Sequence, residues 1–507
     1  MMRFDTIIVG AGPAGCVLAA RLSEDPQQQI FLVDAGPDYG PDPTHWPEEL
    51  LNTSGPAIES HSWGVTHRAD ANGRRLTLPR GRVFGGCSAV NSCIWLHGSR
   101  ADYDGWGAPG NKGWSYDDLA PFFAASENDP LHTDRSVGDH LIDVWRTPRE
   151  SLSTIDVAVL EGADELGLVR VEDLNESADQ IPSCGPTPKN IRDGRRLNGA
   201  LTYLAQARSR TNLHMQADTL VDRVIVNGRT AVGIRTADGQ ELRAKEIIVC
   251  SGAYGSPAIL LRSGIGPAEH LQELGIANVI DLPGVGENLM DHPYLAPYTS
   301  GRTSFVIAES ARPEQPSFIQ TMIKARSRQV EREIDLHLYP REQQDEDGRW
   351  LLGFGVSLQF SRSRGTVRLT STDPRAELDV DHRYFSDPID LEALTDGVEL
   401  LDRLVTTRPL ADFIEGPAQR EMSGRSREVI QEVIRREVGT TFHPSSSCRM
   451  GSDSDPMAVV DQQGRVRGVA GLRVVDASIF PSGPRCNLHA PTVAVAERMA
   501  SVIRAQS

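Results

Sequence analysis

DTIIVGAGPAGCVLAARLSEDPQQQIFLVDAG, residues 5–36, reads as a strand, a glycine turn, a helix and a second strand that ends on an acid. Thr6, Ile7, Ile8 and Val9 form a β-branched run that can be buried on both faces, as a strand inside a parallel sheet must be. Gly10 permits the tight turn that follows. Gly12 lets the backbone approach a pyrophosphate with no Cβ between them, and Gly15 lets the helix lie close on the strand. Pro13 and Ala14 open the helix, where unpaired N–H groups and the helix dipole favour a phosphate. Asp34, followed by Ala35, stands near the ~20-residue spacing at which an acid accepts hydrogen bonds from a ribose. A glycine turn by itself is common without a ligand, but the strand, helix and acid together point to a dinucleotide.

The remaining composition narrows what surrounds this unit. The chain of 507 residues is long enough for several domains and large cores, and 39% hydrophobic with 24% charged residues is ordinary for a globular protein. A formal charge of −17 argues against nucleic acid or an anionic membrane surface as partner. Seven scattered cysteines show no zinc spacing, so no metal site is expected, and reduced thiols fit a cytoplasmic protein. The first strand begins within a few residues of Met1, which leaves no space for a signal peptide, and no apolar run approaches the ~20 residues of a membrane span.

Three further stretches carry signal. PRGRVFGGCSAVNSCIWLHG, residues 79–98, combines small backbone at Gly81, Gly85 and Gly86 with the compact polar groups Ser88, Asn91 and Ser92. That composition suits a backbone pressed on a flat ring; a loop packed on another loop has the same composition. Residues 212–249 alternate with Asn-Gly and Asp-Gly turns, the pattern of an antiparallel meander, followed by a return strand at 246–250. SGAYGSPAILLRSGIG, residues 251–266, places Ser256 and Pro257 as N-cap and first turn of a short helix.

Amphipathic helices are expected around 115–127, with Leu119, Phe122 and Phe123 on one face, around 155–167, and at the end of 193–207. The stretch 37–78 reads as an irregular excursion with Trp46 and Trp63 as its apolar anchors. Residues 298–413 mix alternating strands with charged loops such as REQQDEDGR and suggest an antiparallel sheet backed by helices, with Phe354, Val356 and Phe360 more suited to core than to a ligand.

Near the end, TTFHPSSSCRMG (440–451) and LRVVDASIFPSGPRCNLHAPTVAVAERMA (472–500) put His443 and His489 in turns rich in small residues, beside a strand ending in Asp476 and a helix with Pro491 in its first turn. A lone histidine among the 13 is ordinarily structural. Two in such turns are candidates for proton transfer, since an imidazole with a pKa of ~6.5 offers its neutral form at cellular pH.

Taken together, the opening glycine motif, RGRVFGGCSAVNS, the 251–266 segment and GVGENLMDHP (284–293) resemble the glucose-methanol-choline (GMC) family of FAD-dependent oxidoreductases. The resemblance covers nearly the whole chain. It departs from the family pattern at Phe84, where an aliphatic residue is usual, and at Cys87. Within the family, RxxGG and NIRDGRR (190–196) look most like pyridoxine 4-oxidase and choline-oxidase-like members.

The resemblance implies an α/β protein, α+β overall, with a Rossmann-type FAD-binding domain interleaved with an antiparallel-sheet substrate domain. Its expected segments are 1–154, 191–297 and 440–507 for FAD, and 155–190 and 298–439 for substrate. It implies FAD contacts at Gly10, Gly12, Pro13, Ala14, Gly15, Asp34 and Ala35 in the first motif. In the ring-lining loop it implies contacts at Arg80, Gly85, Gly86, Ser88, Asn91, Ser92, Cys93 and Ile94. Further contacts fall at Val221, Ser251 and Gly252, then at Asp476, Ala477, His489, Ala490, Pro491 and Thr492. Val90 stands where members with covalently attached flavin carry histidine, so dissociable FAD is expected.

In the reaction so implied, a hydride leaves the carbinol carbon for the flavin and the protein supplies the base. His443 aligns with the base and His489 with a second position, held by histidine or asparagine in the family, that orients the hydroxyl; the two roles could be exchanged. The expected substrate is a small alcohol, first a primary aromatic or heteroaromatic one, next a sugar or amino-alcohol, with dioxygen, a quinone or another carrier as final acceptor. A hydroxynitrile lyase shares fold, flavin and histidines and remains an alternative from sequence, as does a flavin-binding protein without catalysis, which the intact motifs disfavour.

Overall fold

In the computed structural model the described residues are 3–57, 60–68, 74–108, 110–133, 138–176, 181–301, 318–344, 350–415 and 422–506. The opening stretch folds as β1 (Arg3–Val9), α1 (Pro13–Leu22) and β2 (Ile30–Val33). β1 lies parallel to β2, with Thr6 opposite Ile30 and Val9 opposite Val33. On its other side it lies parallel to β3 (Glu241–Val249), Ile7 facing Ile247. Ile7, Ile8, Leu32, Val33, Ile247 and Ile248 are buried because the sheet is covered on both faces. Each such side chain contributes roughly 1.5–3 kcal/mol of burial.

Strands from distant parts of the chain complete this seven-stranded sheet. Leu213–Gln216 pairs parallel with β2, and β4 (Leu472–Val474) pairs parallel with β3. The meander expected at 212–249 is present, but its return strand is not a separate element. The nine-residue β3 pairs antiparallel with Thr230–Thr236 over residues 241–243, parallel with β1 from Arg243 onward and parallel with β4 over residues 247–249.

The helix after β3 also differs from the sequence reading. α2 spans Gly252–Arg262, so Ser256 and Pro257 sit inside it rather than at its start. Ser256 Oγ accepts from the Ser251 N–H at 3.0 Å and donates to the Asp476 carboxylate, fastening the first turn from within. Pro257 has no N–H for the Ala253 carbonyl four residues back. Ser447 Oγ donates to that carbonyl instead, at 2.6 Å, so the proline is tolerated inside the helix.

The second sheet has nine strands. Ser183–Pro186, Thr321–Ala325, Leu336–Gln344 and Trp350–Leu358 run side by side, all antiparallel. One face carries Cys184, Ile323, Leu336, Leu338, Phe354, Val356 and Leu358 into a core shared with helices Thr154–Glu165, Pro388–Val405 and Arg427–Glu437. Phe354 and Val356 are therefore core, as expected, while Phe360 lies under the Arg485 guanidinium at 4.2 Å. Strand alternation puts Lys324, His337, Tyr339, Arg341 and Ser357 on the opposite face. Part of the charged loop REQQDEDGR, 345–349, lies outside the described residues, as do 302–317.

The excursion at 37–78 is more ordered than its composition implied. It holds a short helix, Glu48–Leu51, and a hairpin, Val65–Arg68 with Arg75–Leu78, which joins Thr366–Arg368 and Asp379–Asp381 in a small sheet. Trp46 is buried and donates to the Gly40 carbonyl at 3.0 Å. Trp63, expected as a second anchor, is 43% exposed and rests against Arg82 at the rim of a cavity. The helix expected at the end of 193–207 begins with a π-helical turn, Ala200–Leu204. The described residues include no helix long and apolar enough to cross a membrane.

Candidate functional site

A cavity of about 1070 Å³ starts at the turn between β1 and α1 and runs to the turns that hold His443 and His489. At its first end the backbone is packed too tightly for side chains. Gly10 adopts φ +105°, and a Cβ there would lie 2.5 Å from the Cys250 carbonyl. A Cβ on Gly15 would lie 1.8 Å from the Gly10 carbonyl, and one on Gly86 2.7 Å from Gly12 Cα. A Cβ on Gly12, by contrast, would meet no protein atom nearer than the Cys250 carbonyl at 3.9 Å, so the space on that side of Gly12 is open toward the cavity.

Asp34 closes this end. Its carboxylate accepts from the Ala11 and Gly36 N–H groups, each at 2.8 Å. Burial pushes its pKa up to about 6 against those two hydrogen bonds. Asp476 performs a similar tie on the opposite wall, accepting from Gly252 N–H at 2.8 Å and Ser478 N–H at 2.7 Å. A helix N-terminus, a glycine-lined floor and the half-buried Asp34 make a fitting cradle for a dinucleotide's phosphates and ribose.

Most positions singled out in the sequence line the cavity: Gly10, Gly12, Pro13, Ala14, Asp34, Ala35, Arg80, Gly86, Ser88, Asn91, Ser92, Ile94, Val221, Ser251, Gly252, Asp476, Ala477, His489 and Thr492. Gly15, Gly85, Cys93, Ala490 and Pro491 are not among its lining residues. They stand behind the wall: Gly15 is filled by Gly10, a Cβ on Gly85 would meet Asn198 at 3.0 Å, and Cys93, Ala490 and Pro491 are buried. The loop is held from within, Ser88 Oγ donating to the Gly85 carbonyl at 2.6 Å and Asn91 Oδ1 accepting from the Cys93 N–H at 2.9 Å. Arg80 donates to the Phe442 carbonyl at 2.9 Å and so joins this loop to the turn before His443.

That turn is tightly specified. Phe442 takes φ +65°, the Thr440 hydroxyl accepts from the Phe442 N–H, and the His443 N–H donates to Asp291 Oδ1 at 2.8 Å. Burial raises the Asp291 carboxyl, but His382 with the Thr440 and Tyr384 hydroxyls outweighs it and holds the group near 2. The carboxylate therefore anchors the backbone rather than the imidazole.

The imidazole of His443 has an assignable tautomer. Its Nδ1 lies 2.9 Å from Nδ1 of His292 and 2.9 Å from the Thr441 hydroxyl. The Asn487 amide nitrogen is a donor only and lies 3.1 Å from His443 Nε2, so Nε2 is assigned as the acceptor and the ring proton to Nδ1. His292 Nδ1 is then an acceptor, and the proton between the rings belongs to His443 Nδ1. Burial holds both rings neutral: His443 falls well below the ordinary imidazole value, and His292 falls to about 4.

His489 occupies a different place. It begins α3 (His489–Arg504), presents its ring edge-on to Trp95 at 4.8 Å, and its Nδ1 is 3.4 Å from Asn91 Nδ2. Burial, with Arg196 second, lowers it to about 3. His443 and His489 thus face one cavity, but the side chain hydrogen-bonded to His443 Nε2 is Asn487. Sequence reasoning passed over Asn487, although the resemblance allowed asparagine at the second position and Asn487 stands two residues before His489.

Among the described residues, the one grouping with metal-ligand chemistry is Asp129, His132 and Asp173. Arg146 donates to both acids, at 2.8 and 2.7 Å, and supplies the positive charge there.

Family models described as GMC oxidoreductase match residues 4–294 and 361–496. An oxygen-dependent choline dehydrogenase of Pseudomonas fluorescens is 37% identical over 541 residues, covering 99% of this chain and 94% of the relative. The mitochondrial choline dehydrogenase of Homo sapiens is 33% identical, covering 99% and 90%. Among solved structures, pyridoxine 4-oxidase of Mesorbium loti superposes with a TM-score of 0.89 at 30% identity, covering 99% of both chains.

Proposed function

The chain belongs to the GMC oxidoreductase family, and on that premise we propose that it is an FAD-dependent enzyme oxidising a small primary alcohol to the aldehyde, with His443 Nε2 as the proton acceptor. FAD, when bound, supplies the hydride acceptor; the protein's own residues do the rest. The glycine cradle and Asp34 would hold the nucleotide, and the loop from Arg80 to Ile94 would carry the ring. Val90 offers no nucleophile for a covalent link, so the cofactor is held by contacts alone.

The observation that carries this reading is the placement of His443, held at Nδ1 by His292 and Thr441, with its Nε2 beside the Asn487 amide and both residues lining the cavity. A substrate hydroxyl that takes the place of the Asn487 amide at His443 Nε2, with that amide turned to the hydroxyl oxygen, would be oriented by the amide and give its proton to the imidazole. Burial keeps His443 neutral before the reaction, which is the state a base needs. His489 and Asn91 face the same cavity from the other side and would position the ring or the substrate.

A neutral aromatic or heteroaromatic hydroxymethyl compound is the favoured substrate class. Beside His443 the cavity wall is Phe442, Pro444 and Asn487, none of them acidic, whereas a cationic amino-alcohol would want an acid there. The likeness to pyridoxine 4-oxidase, which acts on a hydroxymethyl heteroaromatic, points the same way. We read the chain as two units that share it in five segments, 1–154, 191–297 and 440–507 around the nucleotide sheet and 155–190 and 298–439 around the other; the two large sheets support that reading, while Pro293–Leu295 and the hairpin at 65–78 pair across it.

An anaerobic screen tests the reading. Holoenzyme mixed with aromatic primary alcohols should lose its yellow flavin absorbance, and admitting air or a quinone should restore it. No bleaching with any alcohol, together with cyanide release from a cyanohydrin, would overturn it in favour of a lyase.

A further inference from the structure

Arg196 is fully buried, and none of its hydrogen bonds goes to a carboxylate. Its Nε donates to the Leu50 carbonyl at 3.0 Å, and its Nη2 to the carbonyls of Asn52 and Gly55 at 2.7 and 2.9 Å. Its Nη1 donates to Asn91 Oδ1 at 3.3 Å. Arg21, Arg146, Arg473 and Arg485, also largely buried, are each paired with acid: Arg21 with Glu497, Arg146 with Asp129 and Asp173, Arg473 with Glu246 and Arg485 with Asp102. Among the described residues no acid forms an ion pair with Arg196.

A buried cation without a counter-charge is costly, and carbonyl dipoles offset only part of that cost. Such a charge persists where something else on the molecule gains from it. Asn91 shows the direction in which it acts. Its Oδ1 accepts from both Arg196 and the Cys93 N–H, which fixes the amide so that its NH₂ faces His489 at 3.4 Å, and Asn91 and His489 both line the cavity. His489 cannot itself supply positive charge there, because burial and the guanidinium keep it neutral.

We propose that Arg196 is a positioning residue that sets a fixed positive charge behind Asn91, and that its counter-charge is the negative charge the cofactor acquires in the reaction. The proposal rests on the reading of the site as an FAD-dependent alcohol oxidoreductase. In that reaction the carbinol carbon gives a hydride, two electrons and one proton, to the oxidised flavin, and the hydroxyl proton goes to His443. The flavin therefore gains one negative charge while His443 becomes positive. A permanent guanidinium on the Asn91 side balances the flavin charge without depending on a titrating group.

The test uses holoenzyme and sulfite, which adds to oxidised flavin and leaves the same single negative charge on the ring with no alcohol present. Arg196→Gln should bind sulfite about tenfold more weakly than wild type, since a unit charge is removed from a low-dielectric site. That factor corresponds to a two-electron midpoint potential lower by about 30 mV. Arg196→Lys should stay within about threefold of wild type in sulfite affinity even though its melting temperature falls with the lost fork of donors. If Arg196→Gln only melts lower, with sulfite affinity and potential unchanged, Arg196 merely staples the 50–55 segment and the proposal is overturned.

Should neither variant retain FAD, the wild-type spectrum decides. A fixed cation keeps the reduced cofactor in its anionic form at pH 6, and a neutral reduced spectrum at that pH would overturn the proposal. An enzyme that binds sulfite tightly yet oxidises no alcohol would sink the functional reading and leave the role of Arg196 standing.

Discussion

The two ends of the cavity are built by opposite means. The cradle at the β1–α1 turn is mostly backbone, in which Gly10, Gly15 and Gly86 leave no space for side chains and one half-buried acid, Asp34, faces the ribose position. The far end is mostly side chains, with the neutral imidazoles of His292, His443 and His489 set between a buried carboxylate, Asp291, and a buried guanidinium, Arg196. The difference follows from what each end must do. Holding phosphates takes N–H groups and dipoles, which the main chain supplies in fixed geometry. Moving a proton takes a group that can change charge, held away from water by neighbours that cannot.

This contrast can be broken or sharpened by experiment, beginning with the tightest packing. Gly15→Ala forces a Cβ to within 1.8 Å of the Gly10 carbonyl, so the cradle must open. A loss of about 3 kcal/mol or more is expected, read as a lower melting temperature and colourless purified protein. An alanine variant that keeps its FAD and its melting temperature would refute the packing argument.

A smaller effect is expected from the support of α2. Ser447→Ala leaves the Ala253 carbonyl beside Pro257 without a donor, and a loss of about 1–3 kcal/mol is expected in denaturant unfolding, with turnover per bound flavin retained. No change in stability would mean that water satisfies that carbonyl.

Acidity separates the two ends most finely. Because burial lowers the pKa of His443, its neutral form persists as pH falls through the ordinary imidazole range. The acid limb of kcat/KM should therefore lie below ~6.5, and a limb at or above that value would contradict the assignment. The cradle should respond the other way. Burial raises Asp34 to about 6, so below that pH its carboxylate takes up a proton and one acceptor for the ribose hydroxyls is lost. FAD affinity should weaken as pH falls through 6 and hold steady above it, measured by fluorescence on apoprotein; affinity unchanged down to pH 5 would place the ribose elsewhere.

The cradle was legible because each of its functions maps to a residue type at a fixed spacing along one local unit, so Gly10, Gly12, Gly15 and Asp34 could be named before any fold was known. The pair of histidines was legible as chemistry but not as geometry. Asn487 lies within hydrogen-bonding distance of His443 only because the segment before α3 crosses the turn at 440–446, a juxtaposition 44 residues apart in sequence. Arg196 gave no signal, since an arginine in NIRDGRR looks like a surface charge until the loop at 50–55 closes over it. Pro257 misled because a proline ordinarily marks a helix start, and only Ser447, far along the chain, makes an interior one affordable. Trp63 misled in the same way, a large apolar side chain placed at a cavity rim rather than in a core.

The most direct test of the account is anaerobic reduction of the bound flavin by an aromatic primary alcohol in wild type and in His443→Ala. If His443 Nε2 receives the hydroxyl proton, the variant will bind FAD as wild type does, yet its flavin will bleach roughly 10²-fold more slowly or worse. Equal rates of bleaching in the two proteins would contradict the account at its centre.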